Sequence, residues 1–276
     1  TGFMARDIGD PWLILLLWGG GALLALTGAM CYSELGAAFP FVGGDYVYLR
    51  EAYHPFFAFL SGWASFTVGF GAAIAAGAMG FASYVVQLIP NEPYSTLLIK
   101  GLALALIWSL TAVHVAGVGP GGLLQQLFTV LKVGAILLLI VGAFTVGHGD
   151  WEHLVMTPRK PDVGLGTLVV SFIFVTYAYS GWNAAGYIAG EILNPTRSIP
   201  RTMIGGTLLV GTVYVVLNVV YFYALPIQAL AAPPLMPVAE KVAVGMFGPT
   251  AAQFVTIMLC ISIAGAVSAM IWTGPR

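Results

Sequence analysis

The chain has 276 residues, of which 59% are hydrophobic and 8% charged, whereas about a quarter of the residues in a typical soluble domain are charged. Its net charge is −1 and it contains no basic run, which argues against a nucleic-acid-binding protein. This composition predicts a multi-pass integral membrane protein, located in the cell or plasma membrane.

Seven apolar segments are long enough to cross a bilayer, which takes about 20 predominantly apolar residues. They lie near residues 12–33, 56–88, 98–118, 122–147, 165–192, 202–226 and 249–273. The segments lack the alternation of barrel strands, so the predicted spanning element is the α-helix. The second segment is longer than necessary and is expected to be strongly tilted, with its helix starting at Pro55. We predict a single transmembrane domain, residues 1–276, without a soluble domain.

Two of the polar joints between these segments are long, and the second contains "PVAEKVAVGMFG". The spacing of its apolar residues predicts a short helix on the membrane surface. Cys31 and Cys260 fall inside apolar segments, so we predict small buried side chains and no disulfide framework. His114 is predicted to be a satisfied interior or helix-end histidine rather than a proton relay.

Lys132 presents the sharpest physical conflict in the sequence. It lies about ten residues into the segment 122–147, which places it roughly 15 Å deep. Gln125, Thr129 and Lys132 are spaced by four and three residues, so they form one polar stripe that must face protein or water. A lysine at this depth costs on the order of 3 kcal/mol. Lys132 is therefore either a functional charge or a structural lysine bonded to backbone carbonyls.

The stretch "YSGWNAAG" lies in the middle of the apolar segment 165–192. Ser180 and Gly181 weaken a helix, while Trp182 and Asn183 bring an aromatic face and an amide to a depth where polar groups need partners. A local helix break here would expose backbone carbonyls and amides to a ligand. The alternative is that the small residues allow close helix packing and that Asn183 bonds to a neighbouring helix.

Under the first interpretation, helical hydrogen bonding is lost somewhere between Thr176 and Asn183. Farther along, the sequence "NPTRSIPR" contains two prolines and follows the last apolar residues of the segment. We expect Asn194 and Pro195 to end this helix and the rest of that sequence to turn the chain before the next span.

The ordered set "CYSELGAAFPFVGGDYVYLREAYHPFFAFLSGW", "LKVGA", "YSGWNAAG" and "GEILNPTRSIPR" resembles the amino acid, polyamine and organocation transporter superfamily, close to its L-type and related bacterial permeases. The resemblance covers essentially the whole chain. It implies an all-α bundle of the leucine-transporter type, with two inverted five-helix repeats and a substrate site between broken helices one and six. By this resemblance the chain is truncated at both ends and runs from the end of helix one to the end of helix eight.

The resemblance also implies which residues form the site. Carbonyls near Thr176, Tyr177 and Ser180 would receive a substrate ammonium, with Tyr177 as an aromatic gate. Ser268 aligns with a polar residue of the eighth helix near the same region. Lys132 matches a lysine whose ammonium stands where sodium-coupled relatives hold an ion, so it is the predicted coupling residue. The predicted substrate-binding residues are Thr176, Tyr177, Ser180, Gly181, Trp182, Asn183 and Ser268.

The implied function is secondary active transport of amino acids by alternating access, independent of sodium, by exchange or proton coupling. A neutral substrate is predicted because Glu34 and Glu191 lie at helix ends, and a cationic substrate would need a buried carboxylate. We expect no enzymatic activity, cofactor or metal site. The expected partners are the amino acid and the lipid bilayer. The stretch "IPNEPYSTLLIK" has no cysteine, so a disulfide-linked heavy subunit is not expected.

Seven segments also suggest a seven-helix receptor or a retinal protein. A retinal Schiff base needs a lysine with a buried carboxylate counter-ion, and Lys132 lies in the fourth segment without one. A channel is the third class, but it should show polar residues along whole helices rather than one stripe and one break.

Overall fold

The computed structural model describes residues 1–89, 95–155, 163–233 and 237–276. All regular elements within these ranges are helical. The α-helices are α1 Gly2–Asp7, α2 Pro11–Ala38, α3 Asp45–Ala52, α4 Pro55–Ala64, α5 Gly71–Gln87, α6 Thr96–Val115, α7 Val118–Thr145, α8 Leu165–Ala178, α9 Ala184–Tyr187, α10 Pro195–Ala224, α11 Ile227–Ala231, α12 Val238–Phe247 and α13 Thr250–Thr273. A π-helical turn, Ser65–Phe70, joins α4 to α5, and short 3₁₀ helices cover Trp151–Leu154 and Ala189–Glu191.

Six of the described helices are long and apolar enough to cross a membrane. They are α2, the continuous run Pro55–Gln87, α6, α7, α10 and α13. The predicted all-α membrane fold is confirmed. The predicted segment 165–192 differs from the rest, because its helix α8 has only 14 residues.

Three of the long helices start at a proline, namely α2 at Pro11, the run Pro55–Gln87 at Pro55 and α10 at Pro195. Asp10 caps α2 by accepting a hydrogen bond from the Leu13 N–H at 3.2 Å, and Pro11 follows it in the first turn. Proline suits this position because the first N–H groups of a helix have no partner within the helix. Helix α10 also has a proline, Pro195, in its first turn, but its N-cap Asn194 has a left-handed backbone with φ 51° and makes no side-chain capping bond to the described residues.

The start of α10 corrects the prediction for "NPTRSIPR". We expected these residues to turn the chain ahead of a span at 202–226, but they form the first turns of the helix, with Pro200 inside it. The prediction was wrong because Pro195 initiates this helix instead of ending the preceding one. The preceding helical residues already end at Glu191.

Contacts divide the chain into two compact units, and each is described by itself. The first unit comprises Thr1–Gly44 and Leu138–Ala252, and the second comprises Asp45–Leu137 and Gln253–Arg276. In the first unit, α10 packs along α2, and α8 packs against α2. Its core includes fully buried side chains from four helices, namely Ile14, Val175, Phe222 and Val242.

The predicted helix in "PVAEKVAVGMFG" is confirmed as α12. Its residues Val242 and Met246 are buried in the core of the first unit. The Lys241 ammonium donates to the backbone carbonyls of Ala229 and Leu230, each at 3.2 Å, at the end of the short helix α11. These bonds supply partners to carbonyls that a helix end leaves open.

In the second unit, α5 packs against α6 through small side chains. Ala78, Ala82 and Ala103 form a buried cluster there, and a Cβ added at Gly77 would lie 2.8 Å from the Val267 side chain. Gly77 and Ala78 in the run of small residues between Gly69 and Gly80 thus serve helix packing, while much of the run is exposed.

The α2–α10 contact generates a stability prediction. A Cβ added at Gly211 of α10 would lie 3.1 Å from the Cβ of Ala22 on α2, whereas one added at Gly205 meets no described atom within 4 Å beyond its own stretch of helix. We expect Gly211→Leu to lower the midpoint of thermal unfolding by roughly 5 °C, because overpacking costs about 1–3 kcal/mol. Thermal unfolding of the purified protein in detergent measures this, with Gly205→Leu as the control. Equal midpoints for the two variants would contradict the packing described here.

Candidate functional site

The helix α8 stops in the middle of an apolar segment. Its last bonds run from the Tyr179 N–H to the Val175 carbonyl and from the Ser180 N–H to the Tyr177 carbonyl, both at 3.1 Å. Residues 179–183 form turns, and the short helix α9 follows. The predicted loss of helical hydrogen bonding between Thr176 and Asn183 is confirmed.

Gly181 accounts for the break. Its backbone has φ 99°, a conformation that residues with a Cβ rarely adopt, and that glycine adopts readily. Its carbonyl then accepts the Ala184 N–H at 3.1 Å, which starts the next helical turn. The serine–glycine pair in the sequence therefore encodes the interruption directly.

A cavity of about 370 Å³ lies between α2 and the break. Its wall is mostly apolar, with a few hydroxyl and thiol groups. The lining residues are Gly21, Leu24, Ala25, Thr27, Gly28, Cys31, Thr176, Tyr179 and Trp182. Of the predicted substrate-binding residues, Thr176 and Trp182 belong to this lining.

The other predicted residues of the break lie outside the lining. Tyr177 is 74% exposed, Ser180 and Gly181 are exposed, and Asn183 is half-buried. Tyr179 takes the inward position instead and is 5% exposed. Side chains two positions apart in a helix point in directions about 200° apart. Tyr177 and Tyr179 therefore face opposite sides of the α8 end.

Tyr179 belongs to an aromatic cluster that the sequence did not reveal. Its hydroxyl donates to the Trp18 backbone carbonyl at 3.1 Å. Its ring centroid lies 5.8 Å from that of Trp18 and 5.2 Å from that of Tyr214, while Trp18 and Tyr214 are 5.4 Å apart. On the other side of the break, Trp182 meets Tyr32 edge to face at 5.0 Å. Residues of α2 and α10 thus hold both sides of the break.

Two glycines of α2 make this approach possible. A Cβ at Gly21 would lie 2.4 Å from a Val175 methyl carbon and 3.1 Å from the Tyr179 ring, and one at Gly28 would lie 2.8 Å from the Trp182 ring. These glycines are seven residues apart, or about two helical turns, so they share one face of α2. A larger residue at either position would push the break away from α2.

Cys31 is exposed and lines the cavity, so the prediction that its side chain is buried was wrong. Cys260 is buried, as predicted. A cysteine inside an apolar segment is predicted to face the protein interior. In a membrane protein an apolar segment also has a face that its own chain does not cover, so this inference failed for Cys31.

Ser268 and Lys132 belong to the second unit. Ser268 is fully buried, and its hydroxyl lies 2.9 Å from His114 Nε2 in the last turn of α6. His114 is therefore a satisfied helix-end histidine, as predicted. A role of Ser268 in binding substrate remains a prediction.

Lys132 is half-buried in α7. Within the part of the chain that the structure describes, its ammonium has no hydrogen bond or ion pair, and the buried Gln125 Oε1 also lacks a partner. The Thr129 hydroxyl of the same stripe donates to the Gln125 backbone carbonyl at 2.8 Å. The structural alternative for Lys132 required bonds to backbone carbonyls, which are absent among these described residues. Its role in coupling remains a prediction.

A bundle of apolar helices in which one helix is interrupted at mid-segment is the architecture of membrane transporters with discontinuous helices. The sequence model of one such family, described as amino acid permease, matches residues 1–276 of this chain. The chain therefore belongs to the amino acid permease family and is a multi-pass integral membrane protein.

The chain is similar to curated transporters from animals and bacteria. It is 32% identical over 211 residues to the human (Homo sapiens) b(0,+)-type amino acid transporter 1, covering 75% of this chain and 43% of that protein. It is 29% identical over 274 residues to the serine/threonine exchanger SteT of Bacillus subtilis (strain 168), and this alignment covers 97% of this chain and 59% of SteT. The chain is 31% identical over 284 residues to the large neutral amino acids transporter small subunit 2 of the rabbit, Oryctolagus cuniculus. This alignment covers 98% of this chain and 51% of that protein.

The chain spans about half the length of the curated relatives it matches. These relatives are transporters and exchangers, not enzymes. One of them is named a small subunit. The expectation that this chain has no disulfide-linked heavy subunit rests on "IPNEPYSTLLIK", of which residues 90–94 lie outside the described residues, and it stays a prediction.

The Gly28–Trp182 contact generates a second prediction. We expect Gly28→Ala to lower the free energy of unfolding by about 1–3 kcal/mol, because the added methyl group collides with the Trp182 ring. In a Trp182→Ala background the same substitution should cost nothing, since the space is then open. Denaturant unfolding of the four variants in this double-mutant cycle measures the coupling.

Gly19→Ala is the matched control for this cycle, because a Cβ at Gly19 meets no described atom within 4 Å beyond its own stretch of helix. It should have the same effect with and without Trp182. If Gly28→Ala lowers the free energy of unfolding equally with and without Trp182, the glycine at residue 28 is not required by its contact with Trp182.

Proposed function

We propose that the complete protein is a secondary active transporter that moves amino acids by alternating access. The observation that carries the proposal is the interruption of α8 beside a cavity, in a chain that matches the amino acid permease model along its whole length. An amino acid carries an ammonium and a carboxylate, and the open backbone groups at a helix break can bind both without a formal counter-charge.

The end of α8 provides the ammonium site. The last carbonyls of a helix carry partial negative charge, and a carbonyl that already accepts one hydrogen bond, as that of Tyr177 does from the Ser180 N–H, keeps a second lone pair. Carbonyls near Thr176, Tyr177 and Ser180 therefore attract a cation. Gly181 and Asn183 continue this backbone surface. The proposed gate is Tyr177, whose exposed ring lies on the side of the α8 end opposite Tyr179 and the cavity.

A neutral amino acid is the proposed substrate class. Among the described residues that line the cavity none is charged, and the polar side chains are Thr27, Cys31, Thr176, Tyr179 and the indole of Trp182. A charged substrate side chain in this apolar wall would lose its hydration without gaining an opposite charge. Apolar or small hydroxyl-bearing side chains match the wall instead.

Lys132 is the proposed coupling residue, which makes transport independent of sodium and coupled to exchange or protons. Its ammonium is half-buried in a spanning helix and lacks a partner among the described residues. A charge in this setting is costly and therefore marks a functional position in membrane proteins. The retinal alternative is not supported, since no described carboxylate pairs with Lys132 and the matching family consists of permeases.

Uptake by the full-length protein in proteoliposomes tests the proposed function. From a radiolabelled panel we expect neutral amino acids to accumulate and lysine and glutamate to remain near background. Tyr177→Ala and Trp182→Ala should reduce uptake while leaving the amount of inserted protein unchanged. Tyr53→Ala is a matched control, because Tyr53 is 75% exposed and Tyr177 is 74% exposed. Normal uptake by both test variants would rule out these residues as gate and pocket wall.

A separate uptake experiment addresses Lys132. We expect Lys132→Met to abolish most transport and Lys132→Arg not to restore it, because a planar guanidinium does not fit a site for a compact ammonium. Replacing sodium by choline should leave transport by the unmodified protein unchanged. Lys100→Met is the control, since Lys100 is exposed near the start of α6. Strict sodium dependence would overturn the assignment, and full activity of Lys132→Met would leave Lys132 without a functional role.

A further inference from the structure

We propose that Tyr179 is a positioning residue that fastens the helix break to α2, so that affinity for the transported amino acid depends on this anchor. The proposal rests on the proposed function for its effect on transport. The anchor itself is a property of the fold and can be tested without a substrate.

Tyr179 stands at the point where α8 gives way to the break. Its own N–H completes the last helical turn by bonding to the Val175 carbonyl at 3.1 Å. Its side chain is 5% exposed, although the next two residues, Ser180 and Gly181, are both exposed. A rigid residue is therefore followed at once by the backbone that is open to a ligand.

The hydroxyl of Tyr179 is bonded to main chain rather than to a side chain. It donates to the Trp18 carbonyl at 3.1 Å, within the long helix α2. A backbone carbonyl in a helix cannot rotate away as a side chain can, so this bond fixes the distance from the end of α8 to α2. The ring is held at the same time by Trp18 and by Tyr214 of α10.

The break has a second support at its other side. Trp182 packs over Gly28, about two helical turns along the same face of α2 from the contact between Tyr179 and Gly21. Ser180 and Gly181 thus lie between two aromatic residues, Tyr179 and Trp182, which pack against Gly21 and Gly28 of α2. Because ligand binding at a break needs carbonyls in a fixed arrangement, loosening one support should weaken binding.

Tyr179→Phe is the decisive variant, since it removes the hydroxyl and keeps the ring. We expect amide hydrogen exchange in residues 176–187 of the purified full-length protein in lipid nanodiscs to become about fivefold faster, which is the effect of losing one ordinary hydrogen bond. Tyr177→Phe is the control, because it makes the same chemical change on an exposed ring two residues away. Its exchange in this range should match that of the unmodified protein.

Transport kinetics complete the test. We expect Tyr179→Phe to raise the KM for a neutral amino acid about fivefold, with the amount of folded protein and exchange outside residues 176–187 unchanged. Unchanged exchange at the break would overturn the anchor, and so would faster exchange throughout the protein, which indicates general destabilisation. Faster local exchange with an unchanged KM would overturn the link to affinity. If the unmodified protein transports no amino acid, the proposed function fails, and the exchange result still decides on the anchor.

Discussion

The interior of a bilayer offers no water to the backbone, so a helix that stops there depends on its neighbours for hydrogen bonds and cover. In this protein α8 stops at Ala178 within an apolar segment. The helices beside it, α2 with 28 residues and α10 with 30, are uninterrupted and pack along each other. They provide a rigid surface on which an irregular stretch of chain is tolerated.

The same surface explains the glycines of α2. Glycine weakens a helix, yet this helix has glycines at positions 19, 20 and 21 and again at 28. At Gly21 and Gly28 the absence of a side chain lets aromatic residues from the break approach the helix backbone. Helix propensity is lost at these positions so that the break can be held close, which links the composition of α2 to the site beside it.

The sequence predicted the helices and the break, but not which side chains face inward. Long apolar runs locate spanning helices reliably, because the bilayer requires them, and Ser180 with Gly181 marks a weak point in any helix. The inward side of α8 was beyond this reasoning. Tyr177 and Tyr179 have the same chemistry, and only the contacts with Trp18 and Tyr214 bury one of them. The exposure of Cys31 was missed for a similar reason.

The π-helical turn at Ser65–Phe70 has a consequence for the register of the second long segment. A π turn accommodates one residue more than an α-helical turn, and each residue of an α-helix adds about 100° of rotation. The side chains of α5 are therefore rotated by about 100° from the directions that they would have in a continuous α-helix of the same sequence. Deleting one residue in this turn would leave a regular α-helix with the faces of α4 and α5 still in phase, whereas winding the present sequence as a continuous α-helix would turn the faces of α5 by about 100° relative to α4.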